Sequence, residues 1–344
     1  MLSRTPDDTT LQRLPKAELH VHLDGSLRAA TLAELAEERD RPLPVHEERA
    51  LGSHMLVSDA RNLEDYLARF ALTLSVLQDT EALERVAYEL AEDHAAESVR
   101  WLEVRFCPAL HTEEGLDGNE VLAAVAAGLK RAEEAFDLQA RIIVCGLRTL
   151  DPRVSLEMAE LAAAWADRGV CAFDLAGAEK GFPARDHRAA FRRAEEAGLG
   201  ITVHAGEGYG APSLRQAVED AHAQRLGHGT RLAEDPELME RVRREGITLE
   251  ICLTSNVQTR VAPSYAEHPM KDYLEAGLRL TLCTDNRLMS GVSLTDEYLH
   301  ARDEQGLTGE QLAAVAGMGF ESAFCGDQER AALLERFDAE VSRL

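Results

Sequence analysis

The chain has 344 residues, and 37 Lys plus Arg against 61 Asp plus Glu leave a formal charge of −24 with His neutral. That acid excess argues against nucleic-acid and anionic-membrane partners, which need a basic face toward phosphates or headgroups, and points to a small or neutral ligand. A 45% apolar content lies far from the composition of disorder and is enough for a large packed core. The first fifteen residues are polar, with Asp7 and Asp8 where a signal peptide would be apolar. The longest apolar run, near 121–129, is much shorter than the ~18 residues of a membrane span. A cytoplasmic location is the expectation. Cysteines 107, 145, 171, 252, 283 and 325 form no Cys-x-x-Cys pair and read as buried free thiols, neither a disulfide framework nor a thiolate zinc site.

Beyond an N-terminal tail, 1–14, apolar or β-branched runs recur at 17–22, 99–107, 140–147, 169–175, 200–204, 224–228, 247–253 and 279–284. Between them, 120–136, 154–167, 186–197, 213–223 and 236–245 carry apolar residues at helical spacing. Glycines 198 and 246 follow two of these helices where a left-handed cap is expected. Strand then helix, eight times over, is the pattern of a single (β/α)8 TIM barrel across 15–335, with 336–344 as a helix end or tail. One connection is long: about 75 residues separate Leu23 from Ser98. Helices are expected there at 31–39, 63–77 and 81–97, with Asn62 and Thr80 as N-caps. This helical insertion, 28–98, fits two placements, over the barrel mouth or on the outer wall.

The ionisable residues cluster at the ends of the predicted strands. His20 and His22 alternate, so both face the barrel interior. Alone, such a pair is explained equally well by a shared metal or by ordinary hydrogen bonds. His204, His228 and Asp285, however, close the fifth, sixth and eighth runs, and strand C-termini of a barrel converge on one mouth. Several imidazoles with a carboxylate suit a borderline metal such as Zn²⁺. Gly206-x-Gly208-x-Gly210 is not expected to hold a phosphate, because Glu207 within it would repel one. The remaining eight histidines, His46, His54 and His187 among them, are expected to be solvated.

Taken together, the motifs His20-Val21-His22-Leu23-Asp24-Gly25, Asp174-Leu175-Ala176-Gly177, Thr202-Val203-His204-Ala205-Gly206-Glu207, Gly227-His228-Gly229, Thr254-Ser255-Asn256 and Thr284-Asp285 resemble the adenosine deaminase family of metal-dependent amidohydrolases. The resemblance implies one Zn²⁺ per chain, ligated by His20, His22, His204 and Asp285. It implies that Glu207 protonates N1 of a purine, that His228 orients or deprotonates the attacking water, and that Asp285 assists. Gly177 would contact N3 through its backbone, Asp24 the ribose 5′ hydroxyl, and Asn286 N7. The implied reaction is hydrolytic deamination of adenosine or 2′-deoxyadenosine, with aminodeoxyfutalosine or free adenine as alternative substrates. Two positions depart from the family's usual pattern: Asn286 stands where a second aspartate is common, and Ala178 where an acid follows the glycine. Both bear on substrate identity more than on reaction type.

Overall fold

The computed structural model describes residues 2–45, 47–57 and 69–344. Eight parallel strands succeed one another in chain order: β1 (Lys16–His22), β2 (Val99–Phe106), β3 (Gln139–Leu147), β4 (Val170–Ala176), β5 (Gly200–Ala205), β6 (Arg225–His228), β7 (Thr248–Ile251) and β8 (Leu280–Leu282). A parallel bridge between Val21 and Asp285 joins the last strand region to β1. There the Asp285 N–H donates to the His20 carbonyl at 2.8 Å, and the His22 N–H to the Asp285 carbonyl at 2.7 Å. The sheet closes into the expected (β/α)8 barrel.

Helices Gly118–Ala135, Pro152–Ala164, Arg188–Glu196, Ala211–Glu219 and Pro236–Glu245 occupy the amphipathic stretches. Their starts follow capping chemistry: the Asp117 carboxylate accepts from the Asn119 and Glu120 N–H groups, and Glu120 reaches back to complete a capping box. Gly246 caps with φ 69°, in the left-handed region expected of it. The apolar run 247–253 is divided. Thr248–Ile251 is strand, and Leu253 already opens the helix Leu253–Gln258. A buried helix start is as apolar as a buried strand end, so periodicity could not separate them.

Within the insertion the structure shows helices Ala29–Glu38, Glu48–Met55, Phe70–Val76 and Thr80–Ala96. Glu48–Met55 was not anticipated, and the expected cap Asn62 lies outside the described residues. The N-cap of the last helix is Asp79, not Thr80: its carboxylate accepts from the Ala82 N–H at 2.8 Å. The insertion takes both placements considered. Thr80–Ala96 packs on the outer wall so closely that a Cβ on Gly128 would lie 2.2 Å from the Glu84 carbonyl oxygen, whereas Phe70 and Leu74 line a cavity at the strand C-termini. All six cysteines are free, four of them buried. Among the described residues no helix is long and apolar enough to cross a membrane.

The barrel interior holds charge where apolar layers are usual. Lys16, Glu18, Glu103, Arg105, Asp174, Arg225 and Glu250 are all buried. Arg225 pairs with Glu103 at 2.5 Å and Glu250 at 2.7 Å, while Arg105 pairs with Glu250 at 2.8 Å and Asp174 at 3.1 Å. Removing one partner of such a pair strands the other in low dielectric. Arg225→Met is therefore expected to lower the unfolding free energy by about 3–5 kcal/mol, read from the denaturant midpoint. An unchanged midpoint would show that this pair is not formed in solution.

Candidate active site

Strand alternation places His20 and His22 on the inner face of β1, His204 comes from β5, and Asp285 follows β8. Their ligand atoms lie within 4.8 Å of one another. His22 Nε2 is 3.1 Å from His204 Nε2 and 3.4 Å from Asp285 Oδ1, and His20 Nε2 is 3.5 Å from the same oxygen. For bonds of about 2.0–2.1 Å, tetrahedral donor atoms sit roughly 3.3 Å apart. The separations match, and His20 Nε2 is buried without a hydrogen-bond partner. These donors fit one divalent ion of the zinc type.

The histidines are set for that task by the charges beneath them. His20 Nδ1 donates to Glu250 Oε2 at 2.8 Å and His204 Nδ1 to Asp174 Oδ2 at 2.9 Å. Each carboxylate fixes the tautomer and leaves the Nε2 lone pair facing the cluster. Burial pushes the pKa of His22 and of His204 below the usual imidazole value, which keeps both neutral. Burial alone would raise Asp285, but the neighbouring imidazoles, His20 first, hold its carboxyl well below the usual range. Ser255 Oγ donates to Asp285 Oδ2 at 2.7 Å.

Glu207 and His228 stand beside this cluster, their functional atoms within 4.8 Å of Asp285 and of each other. Burial, reinforced by the charges of Asp285 and Glu179, pushes the Glu207 carboxyl well above its ordinary value and so favours its protonated form. Its Oε1 is buried and unpartnered, and Oε2 lies 3.4 Å from His228 Nε2. His228 and Asp285 both adopt left-handed backbone, φ 64° and 60°. Such conformations cost of order 1–3 kcal/mol in non-glycine residues and persist where surrounding structure enforces them.

A cavity of about 240 Å³ opens from these groups and is lined also by Asp24, Gly177 and Asn286. No lysine or arginine is among its described lining residues. Asp24 Oδ1 is buried without a partner, and burial together with Asp285 raises the Asp24 pKa to about 7. Gly177 has φ 93°, which a side chain would strain. Gly25 admits the Asn286 amide, since a Cβ there would lie 1.7 Å from Asn286 Oδ1.

The loop after β5 holds an anion, but an internal one. Backbone N–H groups of Gly206, Glu207 and Gly208 all donate to the Glu179 carboxylate, at 2.9, 2.8 and 2.7 Å. This fills the nest that a phosphate would need and ties the β4 loop to the residue carrying Glu207. A carboxylate two residues beyond Gly177 was visible in sequence, but not its target. Solvated histidines were the wrong expectation for His94, His111, His187 and His268, which are buried. His187 bonds Ser155 Oγ at 2.9 Å and His111 the Leu77 carbonyl at 2.9 Å. His54 is exposed as expected, and His46 lies outside the described residues. Asp174, Glu250 and Arg105 escaped notice as supports because each comes from a different strand.

The family model for adenosine deaminase matches residues 15–340. The chain belongs to the adenosine deaminase family. It is 39% identical over 321 residues to the adenosine deaminase of Clostridium perfringens, covering 92% of this chain and 96% of that protein. It is 40% identical over 317 residues to a probable adenosine deaminase of Dictyostelium discoideum, covering 91% of this chain but 41% of that longer protein. Solved structures similar to it include an adenine deaminase from Arthrobacter aurescens (28% identity, TM-score 0.88, 96% of this chain and 98% of that one). An N6-methyl-AMP deaminase from Arabidopsis thaliana gives 29%, 0.84, 97% and 98%. A zinc-bound amidohydrolase from Burkholderia ambifaria gives 26%, 0.89, 99% and 96%. The chain is thus a hydrolase acting on C–N bonds, of the amidohydrolase type.

Glu179→Ala leaves three N–H groups without their acceptor and frees the loop under Glu207. A displacement of ~1 Å there is expected to lower kcat by about 10²-fold, with bound metal unchanged by elemental analysis. Wild-type kcat in this variant would show that the carboxylate does not hold the loop.

Proposed function

We propose that the chain is a zinc-dependent hydrolytic deaminase of 6-aminopurine nucleosides, converting adenosine or 2′-deoxyadenosine and water into inosine or 2′-deoxyinosine and ammonia. The observation that carries this reading is the buried Glu207 carboxyl, its Oε1 unpartnered, within 4.8 Å of His228 and Asp285 beside four clustered donors that suit a metal ion, with burial pushing its pKa upward. His20, His22, His204 and Asp285 are assigned as the ligands of one Zn²⁺. When bound, the ion lowers the pKa of a coordinated water toward about 7 and so makes hydroxide available at neutral pH.

The chain's own residues do the rest. Glu207 gives a proton to N1, which makes C6 an electrophile for the water oxygen. His228 and Asp285 accept or orient the water's protons. Gly177 offers backbone to N3, Asn286 its amide to N7, and Asp24 an acceptor to the 5′ hydroxyl. Asp24 Oδ1, buried and unpartnered, favours a nucleoside over free adenine. The lack of a described cation around the cavity disfavours a nucleotide, because a buried phosphate needs a counter-charge. No membrane or nucleic-acid partner enters this reading.

Ammonia release measured with adenosine, 2′-deoxyadenosine, adenine, AMP and aminodeoxyfutalosine, with zinc quantified in the same sample, tests it. Adenosine or 2′-deoxyadenosine is expected to give the highest kcat/KM with one zinc per chain, and His204→Ala should lose metal and activity together. Turnover confined to AMP or adenine would refute the nucleoside assignment.

The pH profile follows from Glu207. Its raised pKa means the required acid is present below that value and lost above it, so the rate falls as pH rises through it. Glu207→Gln is expected to keep the metal, lose about 10²- to 10⁴-fold in kcat and show no alkaline fall in the residual rate. Wild-type turnover in the variant would assign N1 protonation to another group.

A further inference from the structure

One chain of hydrogen bonds behind His228 has a direction that can be read from its far end. Met270 is the first residue of the helix Met270–Glu275, so its N–H has no partner within the helix. It donates instead to His268 Nδ1 at 3.1 Å. A backbone amide can only donate, so His268 Nδ1 is an acceptor. Burial pushes His268 down to about 3, so the ring is neutral and its single proton is on Nε2. That Nε2–H donates to Asn256 Oδ1 at 3.1 Å, and Thr230 Oγ1 donates to the same oxygen at 2.9 Å. With two donors on Oδ1, the other atom of the amide is the NH₂ group. Asn256 Nδ2 lies 3.0 Å from His228 Nδ1. His228 Nδ1 must then accept, and the proton of its ring is on Nε2, the atom that faces Glu207 Oε2 at 3.4 Å. Asn256 and His268 are both buried, so water does not interrupt the sequence of donors.

We propose that His268 and Asn256 are positioning residues that lock His228 in its Nε2–H tautomer, so that His228 meets the reacting groups as a hydrogen-bond donor and not as the proton acceptor. The proposal rests on the deaminase reading and sharpens it at one point. That reading allows either His228 or Asp285 to take the proton lost by the water. A ring whose Nδ1 is engaged and whose Nε2 already carries hydrogen has no free lone pair to offer. Asp285, the carboxylate in the same group, is left to receive the proton, and His228 fixes the water oxygen by donating to it.

The test reads the tautomer directly and needs no substrate. Histidine side-chain ¹⁵N–¹H correlation spectra of the zinc-loaded protein, with His228 assigned by comparison with His228→Gln, are expected to show Nε2 protonated and Nδ1 as a bare acceptor. Asn256→Asp removes the donor and offers only acceptor oxygens, so the proton is expected to move to Nδ1. There kcat should fall by about 10- to 100-fold, with KM and zinc content little changed. His268→Gln, whose amide can still donate to Asn256 Oδ1, is expected to retain the wild-type tautomer and most of the activity. An Nδ1–H tautomer in the wild type overturns the proposal, as does an Asn256→Asp protein with unchanged tautomer and kcat. Should Asn256→Asp fail to fold, the wild-type spectrum and His268→Gln decide. An inactive wild type with the expected spectrum would count against the deaminase reading and leave the relay standing.

Discussion

The Arg105 guanidinium is the constraint on which the site depends. It reaches Asp174 and Glu250 from inside the barrel, and these are the carboxylates that accept hydrogen bonds from Nδ1 of His204 and His20. His204 is thereby held with its Nε2 3.1 Å from His22 Nε2. One buried cation thus links β2, β4 and β7 to two histidines on β1 and β5. Arg225 extends the arrangement toward the opposite end of the barrel through Glu250 and Glu103. Buried ion pairs of this sort contribute little to net stability; what they supply here is orientation.

Above that layer the chain controls its acids by the same means. Burial and the negative charges of Asp285 and Glu179 push Glu207 toward its protonated form, and Glu179 is held there by the three N–H groups of the loop that carries Glu207. One carboxylate therefore both places the neighbouring acid and disfavours its ionisation. Asp285 is driven the opposite way by its contact with His20. The pKa values of two carboxyl groups in one cavity are so pushed apart, which is the condition for acid and base chemistry at one pH.

The two departures from the usual family pattern now have physical settings. Asn286 is received by Gly25, whose missing Cβ leaves room for the amide, and an amide donates without needing a raised pKa. Ala178 lines the cavity without a charge, while the acid next to it, Glu179, points away from the substrate space and into the loop after β5. Both changes leave the four clustered candidate donors and Glu207 untouched.

Much of the fold and of the candidate metal site was legible in the sequence, because both rest on short-range regularities. Period two set His20 and His22 on one face, the strand–helix alternation counted out the barrel, and strand ends carried His204, His228 and Asp285 to one rim. Where the signal was local but ambiguous the reading slipped: Asp79 and Thr80 are both good caps, and 247–253 is apolar as strand and as helix. Only the tertiary structure decided what depends on partners far apart in the chain. Arg105 meets Glu250 across 145 positions, Asn256 meets His228 across 28, and Phe70 reaches the cavity from an insertion whose course no periodicity encodes. A histidine such as His268 looks solvated in sequence because its fate is set by what packs over it. Residue types and their spacing determine which groups arrive at the mouth; the closure of the barrel determines which of them touch, and so which carry a proton.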